Sequence, residues 1–241
     1  MPACVLEASP VSAREENIQA WRSVAAGWER QRALIWSATH VVSERLVELL
    51  DPRPGQSVLE LAAGPGDTGF LAYPRILPGG QLLTTDVAPE MLEAARRRAA
   101  ELGLDNVTFA VEDAASLTLA DASVDGVLCR WGLMLVPDME GAAAEIARVL
   151  RPGGRAAVAV WASPEENEWM TAGGRSVPKA ESDGWEPKPS SVSAATAASW
   201  ASARPTVDRT WMIAGLPVSS ASSRFRRRLV SWSGIGEKTR S

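Results

Sequence analysis

The sequence predicts an α/β domain on a doubly wound, mostly parallel sheet, and three observations predict it. Short apolar runs of strand length alternate with amphipathic segments of helix length from residue 57 onward. A glycine-rich turn follows the first apolar run, and an aspartate closes the second. Strands separated by helices need crossover connections, and those connections make parallel sheets.

Residues 1–13 show no periodic pattern and are expected to be flexible. A helical lead-in follows over residues 14–50. Trp21, Val24, Ala25 and Trp28 recur at i, i+3, i+4 and i+7 on one helix face. A second amphipathic segment, residues 38–50, stops before Asp51-Pro52-Arg53-Pro54-Gly55, a strong breaker. Residues 57–62 (SVLELA) read as a buried first strand, and residues 81–85 (QLLTT) as a second, closed by Asp86. Pro89 opens a helix whose apolar stripe is Met91, Leu92, Ala95, Ala99 and Leu102, and Gly103 stops it. Residues 107–111 and 124–130 read as strands three and four. A helix over residues 138–150 places Met139, Ala143, Ile146 and Leu150 on one face. Arg151-Pro152-Gly153-Gly154 then turns into strand five at residues 155–161.

Composition bounds the function classes. A chain of 241 residues, 46% hydrophobic and 22% charged, suits a compact domain with an appendage. Two cysteines and one histidine leave no ligand set for structural zinc. No apolar run reaches the length of a membrane span, and the first ten residues lack a basic, then apolar, leader pattern. A cytoplasmic protein without membrane insertion is expected. A net charge of −4 argues against nucleic acid as the partner. The charge is unevenly spread. Residues 1–175 hold 15 Arg, no Lys and 24 acids, whereas residues 176–241 hold ten basic residues and five acids. Serine rises from nine residues in the first part to 14 in the second. Residues 176–241 are therefore expected to be irregular or disordered, either as a flexible tail or as a replaced C-terminal region.

Strand one runs into Ala63-Gly64-Pro65-Gly66-Asp67-Thr68-Gly69, a G-x-G-x-x-G turn of Rossmann-like form, with Asp86 twenty residues beyond Gly66. Glycines let backbone approach a ligand, and a carboxylate at the end of strand two can accept both hydroxyls of a ribose. A pyrophosphate needs uncompensated N–H groups and tolerates no nearby carboxylate. Here Glu60 lies inside strand one and Asp67 follows the second glycine. Two carboxylates beside the loop suit a cationic nucleoside, and S-adenosylmethionine (SAM) carries both a sulfonium and an ammonium group. Asp113, closing strand three, can accept from an adenine amino group.

The segments VLELAAGPGD, TTDVAPEML, VEDAASL, VDGVLCRWGLMLV and RVLRPGGRAAVAVW, in that order, resemble the class I SAM-dependent methyltransferases. Within that superfamily the chain is most similar to the small-molecule branch that includes the ubiquinone/menaquinone C-methyltransferases. The resemblance covers roughly residues 14–175, with helices at 14–50 and a SAM-binding core at 51–175. It implies that Glu60 holds the methionine amine and that Ala62, Gly64, Pro65 and Gly66 line the methionine part. It implies Asp86 on the ribose hydroxyls, Val87 and Met91 beside the adenine, and Asp113 with Ala114 at the adenine edge. Cys129 and Arg130 are implied to lie under the sulfonium. Two residues depart from the branch: Pro65 stands where threonine is usual, and Arg130 where serine is usual. A cation beside a sulfonium is unfavourable unless its side chain turns towards the acceptor.

The implied activity is methyl transfer to a small-molecule acceptor by in-line displacement, a reaction that orientation alone accelerates strongly. No catalytic residue is assigned. His40, Asp138 and Glu140 are rival bases, each with a plainer structural role available. Trp21, Trp28 and Trp36 are candidates for a lid or for ordinary packing. Trp131, just beyond strand four, is a candidate for the acceptor pocket. Arg96-Arg97-Arg98 reads as a solvated helix face, and Cys129 as a buried strand residue. Two rival functions remain: a nicotinamide-dependent oxidoreductase, since the same turn and Asp86 serve NAD, and a non-catalytic SAM-binding protein. The second arises because the superfamily continues beyond strand five through a helix and an antiparallel strand pair. The nearest candidate for these strands, Trp211–Val218, is interrupted by Pro217. Without them strand five is an apolar edge, so low stability and easy proteolysis beyond residue 175 are expected.

Overall fold

The computed structural model describes residues 10–161 and 210–214, with residues 10–12 and 210–214 described by backbone alone. The N-terminal lead-in is one continuous helix, α1 (Pro10–Leu50), not the two segments expected. It carries no proline or glycine pair that would break it near residue 38. The remaining elements are β1 (Ser57–Leu61), α2 (Asp67–Ile76), β2 (Gln81–Asp86), α3 (Pro89–Leu102), β3 (Val107–Val111), β4 (Val124–Arg130), α4 (Met139–Val149), β5 (Leu150–Trp161) and β6 (Thr210–Ala214). A short 3₁₀ turn, Leu133–Leu135, links β4 to α4.

The sheet order is β3-β2-β1-β4-β5-β6. The first five strands pair in parallel, with Val58 opposite both Leu82 and Gly126. β6 pairs antiparallel to β5, Ala157 opposite Ala214 and Trp161 opposite Thr210. An antiparallel strand therefore covers the outer edge of β5, which the sequence left exposed. Part of the tail expected to be irregular is thus a strand, and the rest of that expectation falls outside the described residues. Arg151–Gly154 is not a separate turn. It is an irregularity inside β5, where the register jumps from Val124–Leu150 to Gly126–Arg155.

Alternation along β1 sorts the two faces. Val58 joins a cluster with Leu46 and Val47 of α1, Phe70 and Ile76 of α2 and Ala95 of α3. Leu59 and Leu61 point into a second cluster with Val127, Ile146 and Val149. Each fully buried leucine or isoleucine contributes roughly 1.5–3 kcal/mol. The stripe of α3 is buried at Met91, Leu92, Ala95 and Ala99, while Leu102 is exposed. Met139 is likewise exposed, because α4 begins there; Ala143, Ile146 and Leu150 of the expected face are buried, Leu150 as the first residue of β5.

This order places the carboxyl ends of β1, β2, β3 and β4 together, with β1 between its neighbours β2 and β4. Connections leave in opposite directions on either side of β1, and ligands of open α/β sheets bind in the crevice so formed.

Candidate functional site

The glycine turn after β1 is built from left-handed backbone. Ala62, Gly64 and Gly66 have φ of 48°, 54° and 86°. Such angles suit glycine, and at Gly66 a Cβ would also strike the Phe70 ring. Asp86 ties the turn to the end of β2. Its Oδ2 accepts from the Gly64 N–H at 2.9 Å and its Oδ1 from the Ala88 N–H at 3.0 Å. Burial pushes the Asp86 carboxyl above the usual range, against the pull of these backbone donors and of Val87.

Glu60 is buried beneath the turn. Its Oε1 accepts from the Gly69 N–H at 2.8 Å, while its Oε2 has no hydrogen-bond partner among the described residues. Burial pushes this carboxyl up to about 8, although the Gly69 N–H and the Arg130 charge both pull it down. The folded carboxyl keeps its proton to about pH 8, whereas an ordinary one releases it near 4.5. The folded state therefore binds the extra proton within that window, and stability falls as pH rises through it. Unfolding by urea is expected to show a loss on the order of 3 kcal/mol between pH 5.5 and 8.5. Glu60→Gln should flatten most of this slope, and an equal slope in both proteins would overturn the assignment.

The other site residues gather around this centre. Asp113 accepts from the Ala115 N–H at 2.9 Å and pairs with Arg14 of α1 at 2.5 Å. Ala114 is buried on the α4 face of the sheet. Val87 follows Asp86 directly, and its N–H faces that carboxylate. Met91 packs with Ala88, Ala25, Trp21 and Trp28. Pro65 lies between the two left-handed glycines. Arg130, at the end of β4, donates from Nη1 to the Thr39 hydroxyl at 2.8 Å, and its guanidinium lies over the Trp131 ring. Burial lowers its pKa, while the charges of Asp67 and Glu60 pull it back up.

Helix α1 crosses the whole crevice. Arg14 meets Asp113, Arg22 meets Glu90 at 2.9 Å, and Arg32 meets Asp67 at 2.5 Å. Ser43 and Thr68 share a buried hydrogen bond at 2.9 Å. The sequence reading missed Arg14, Arg32 and Thr39. Their signal was present: Arg14, Trp21, Ala25, Trp28, Arg32 and Thr39 recur three, four or seven residues apart, one stripe of a continuous helix.

Two of the three rival bases are otherwise engaged. His40 Nδ1 lies 3.2 Å from the Trp36 carbonyl one turn back, and its ring leans on Trp36. Asp138 caps α4 by accepting from the Gly141 N–H at 2.8 Å, and Glu140 is exposed. The Cys129 thiol is buried, and burial pushes it up to about 12, so it is no nucleophile near neutrality. Arg96, Arg97 and Arg98 pair with Glu93, Glu29 and Glu101 on the surface.

A parallel sheet of this order, a glycine turn after β1, a buried acid within β1 and an aspartate closing β2 are thus on one edge. Residues 58–154 match the family described as Methyltransferase domain. The chain is similar to the nocamycin O-methyltransferase of Saccharothrix syringae, 39% identical over 50% of this chain and 45% of the relative. It is also similar to the ubiquinone/menaquinone biosynthesis C-methyltransferase of Acidiphilium cryptum, 38% identical over 59% of this chain and 57% of the relative. Among solved structures, the YcgJ protein of Bacillus subtilis matches with a TM-score of 0.50 at 28% identity, covering 56% of this chain and 58% of that one. The chain thus spans about half the length of the curated relatives it matches. No described helix is long and apolar enough to cross a membrane.

Proposed function

We propose that this protein transfers a methyl group from SAM to a small-molecule acceptor by in-line displacement. The single observation that carries the cofactor is Glu60: a buried carboxyl beside the glycine turn with one oxygen lacking a donor. A buried polar oxygen left unpartnered costs about 1–3 kcal/mol, and an ammonium group beside it removes that cost and draws the carboxyl from its protonated into its ionised form. A diphosphate offers no such cation, and the Asp67 carboxylate beside the turn opposes it, which disfavours NAD. When bound, the cofactor supplies a methyl group on a positively charged sulfur, whose bonding electrons return to sulfur as the acceptor's lone pair takes the methyl.

The chain's own residues bind and orient. Asp86 keeps acceptor capacity beyond its backbone donors for the ribose hydroxyls. Asp113 and Ala114 stand where the adenine edge is expected, with Val87 and Met91 beside the ring. Ala62, Gly64, Pro65 and Gly66 shape the turn against the methionine part. Helix α1 shields the crevice from water. Its pair between Arg22 and Glu90 is exposed and contributes only about 0.2–1 kcal/mol, whereas Arg14 and Arg32 reach largely buried carboxylates. A cytoplasmic location belongs to the same proposal. So does the reach of the domain over residues 14–175.

The test is thermal unfolding of the full chain with S-adenosylhomocysteine and, in parallel, with NADH. Ligand at about 100 times its dissociation constant adds roughly 2.7 kcal/mol, which raises Tm by about 5–10 °C for a chain of this size. A rise with S-adenosylhomocysteine alone is expected. A rise with NADH alone would overturn the reading.

A further inference from the structure

Where β4 ends, four features coincide that cofactor binding does not use. Trp131 has φ of 60°, a left-handed backbone that a bulky residue adopts at a cost of roughly 1–3 kcal/mol. It is held there by its own N–H, which donates to the Ala159 carbonyl at 2.8 Å. Its indole Nε1–H is buried with no acceptor among the described residues. Its ring stacks on Trp161, centroids 4.4 Å apart and planes 12° from parallel. The Arg130 guanidinium caps the stack from 5.1 Å.

Arg130 has five N–H donors, and the bond to Thr39 uses one. It makes no ion pair among the described residues, although Asp67 and Glu60 act on it from further away. An arginine fork of this kind matches a carboxylate bidentately. The cluster is therefore rich in donors and poor in acceptors, and flat aromatic surface lies beneath it. Strain and an orphaned donor in one residue mark a place where the fold serves a ligand.

We propose that Arg130 and Trp131 recognise the acceptor, and that this acceptor is a flat, unsaturated molecule carrying a carboxylate. The inference rests on reading the neighbouring crevice as the cofactor site. The carboxylate lies between the Arg130 cation and the positively charged cofactor, and removes a repulsion that would otherwise oppose binding both. It is the handle, and another atom of the acceptor is methylated, because a guanidinium drawing on an oxygen lowers that oxygen's nucleophilicity. Arg130 is then a specificity-determining residue that sorts acceptors by charge.

The experiment is calorimetric titration of the full chain, saturated with S-adenosylhomocysteine, with 4-hydroxybenzoate and with 4-hydroxybenzamide. The two probes share a ring and differ in charge. The carboxylate is expected to bind at least about tenfold tighter than the amide. Arg130→Gln should bring the two probes within about twofold of each other, and Arg130→Lys should restore part of the difference. Equal affinity of the two probes for the unmodified chain, binding of neither, or a difference that survives in R130Q would each overturn this inference alone. Failure of S-adenosylhomocysteine itself to bind would overturn the cofactor reading and this inference with it. The comparison of probes on the unmodified chain holds even where R130Q fails to fold.

Discussion

Gly69→Ala is expected to leave the chain folded and to weaken S-adenosylhomocysteine binding by about a hundredfold or more. Gly69 lies in the first turn of α2 with ordinary helical backbone, so alanine there improves helix propensity by up to about 1 kcal/mol. The cost is steric. A Cβ at this position would strike Glu60 Oε2 and come within 2.9 Å of its Cδ and 3.2 Å of Leu82. The carboxyl is boxed between β1 and α2 and must shift, losing both its hydrogen bond from Gly69 and its place beneath the turn. A charge-assisted hydrogen bond lost together with the position of its acceptor is worth about 3 kcal/mol, two orders of magnitude in affinity. Calorimetry with S-adenosylhomocysteine and far-ultraviolet circular dichroism separate binding from folding. A folded Gly69→Ala protein that binds as tightly as the parent would show that Glu60 does not hold the ligand.

Asp86→Ala is expected to reduce S-adenosylhomocysteine affinity by about a hundredfold and to lower stability by about 2–4 kcal/mol. The stability cost arises because the N–H groups of Gly64 and Ala88 both lose their acceptor. Asp86→Asn keeps one oxygen and should recover part of the stability, but it introduces a donor where ribose hydroxyls need acceptors. The pair separates the two roles of the side chain. Affinity that tracks stability across both variants would mean Asp86 only shapes the turn. Affinity that stays low in Asp86→Asn while stability recovers would place the carboxylate on the ligand.

Much of the site was legible because its parts are adjacent to strand ends, and strand ends are visible in sequence. Apolar runs closed by an acid or a glycine give Asp86, Asp113 and the turn at Gly64–Gly66. Glu60 was legible as a carboxylate in an otherwise apolar strand, a placement that folding tolerates only with a partner. The lead-in helix was read as two pieces. That division hid the stripe from Arg14 to Thr39, since a helical face is recognised only when the helix is taken as continuous. Trp131 was legible as a residue beyond a strand, but its left-handed backbone and its stack with Trp161 join residues 30 positions apart. No local pattern encodes such a contact.

Helix α2 and strand β6 apart, the sequence by itself determined the order of the five parallel strands, the helical stretches before β1, after β2 and before β5, the glycine turn and the acids around it. These depend on hydrophobic period and on backbone angles, both of which are local. The tertiary structure alone decided what each of those acids faces. Long-range packing seals Glu60 under Gly69 and sets arginines of α1 opposite Asp113 and Asp67. It also pairs β5 with a strand starting at Thr210, 49 residues beyond Trp161. Partners chosen across such separations follow from how whole faces bury together, and a charge takes its meaning from the neighbour that burial assigns to it.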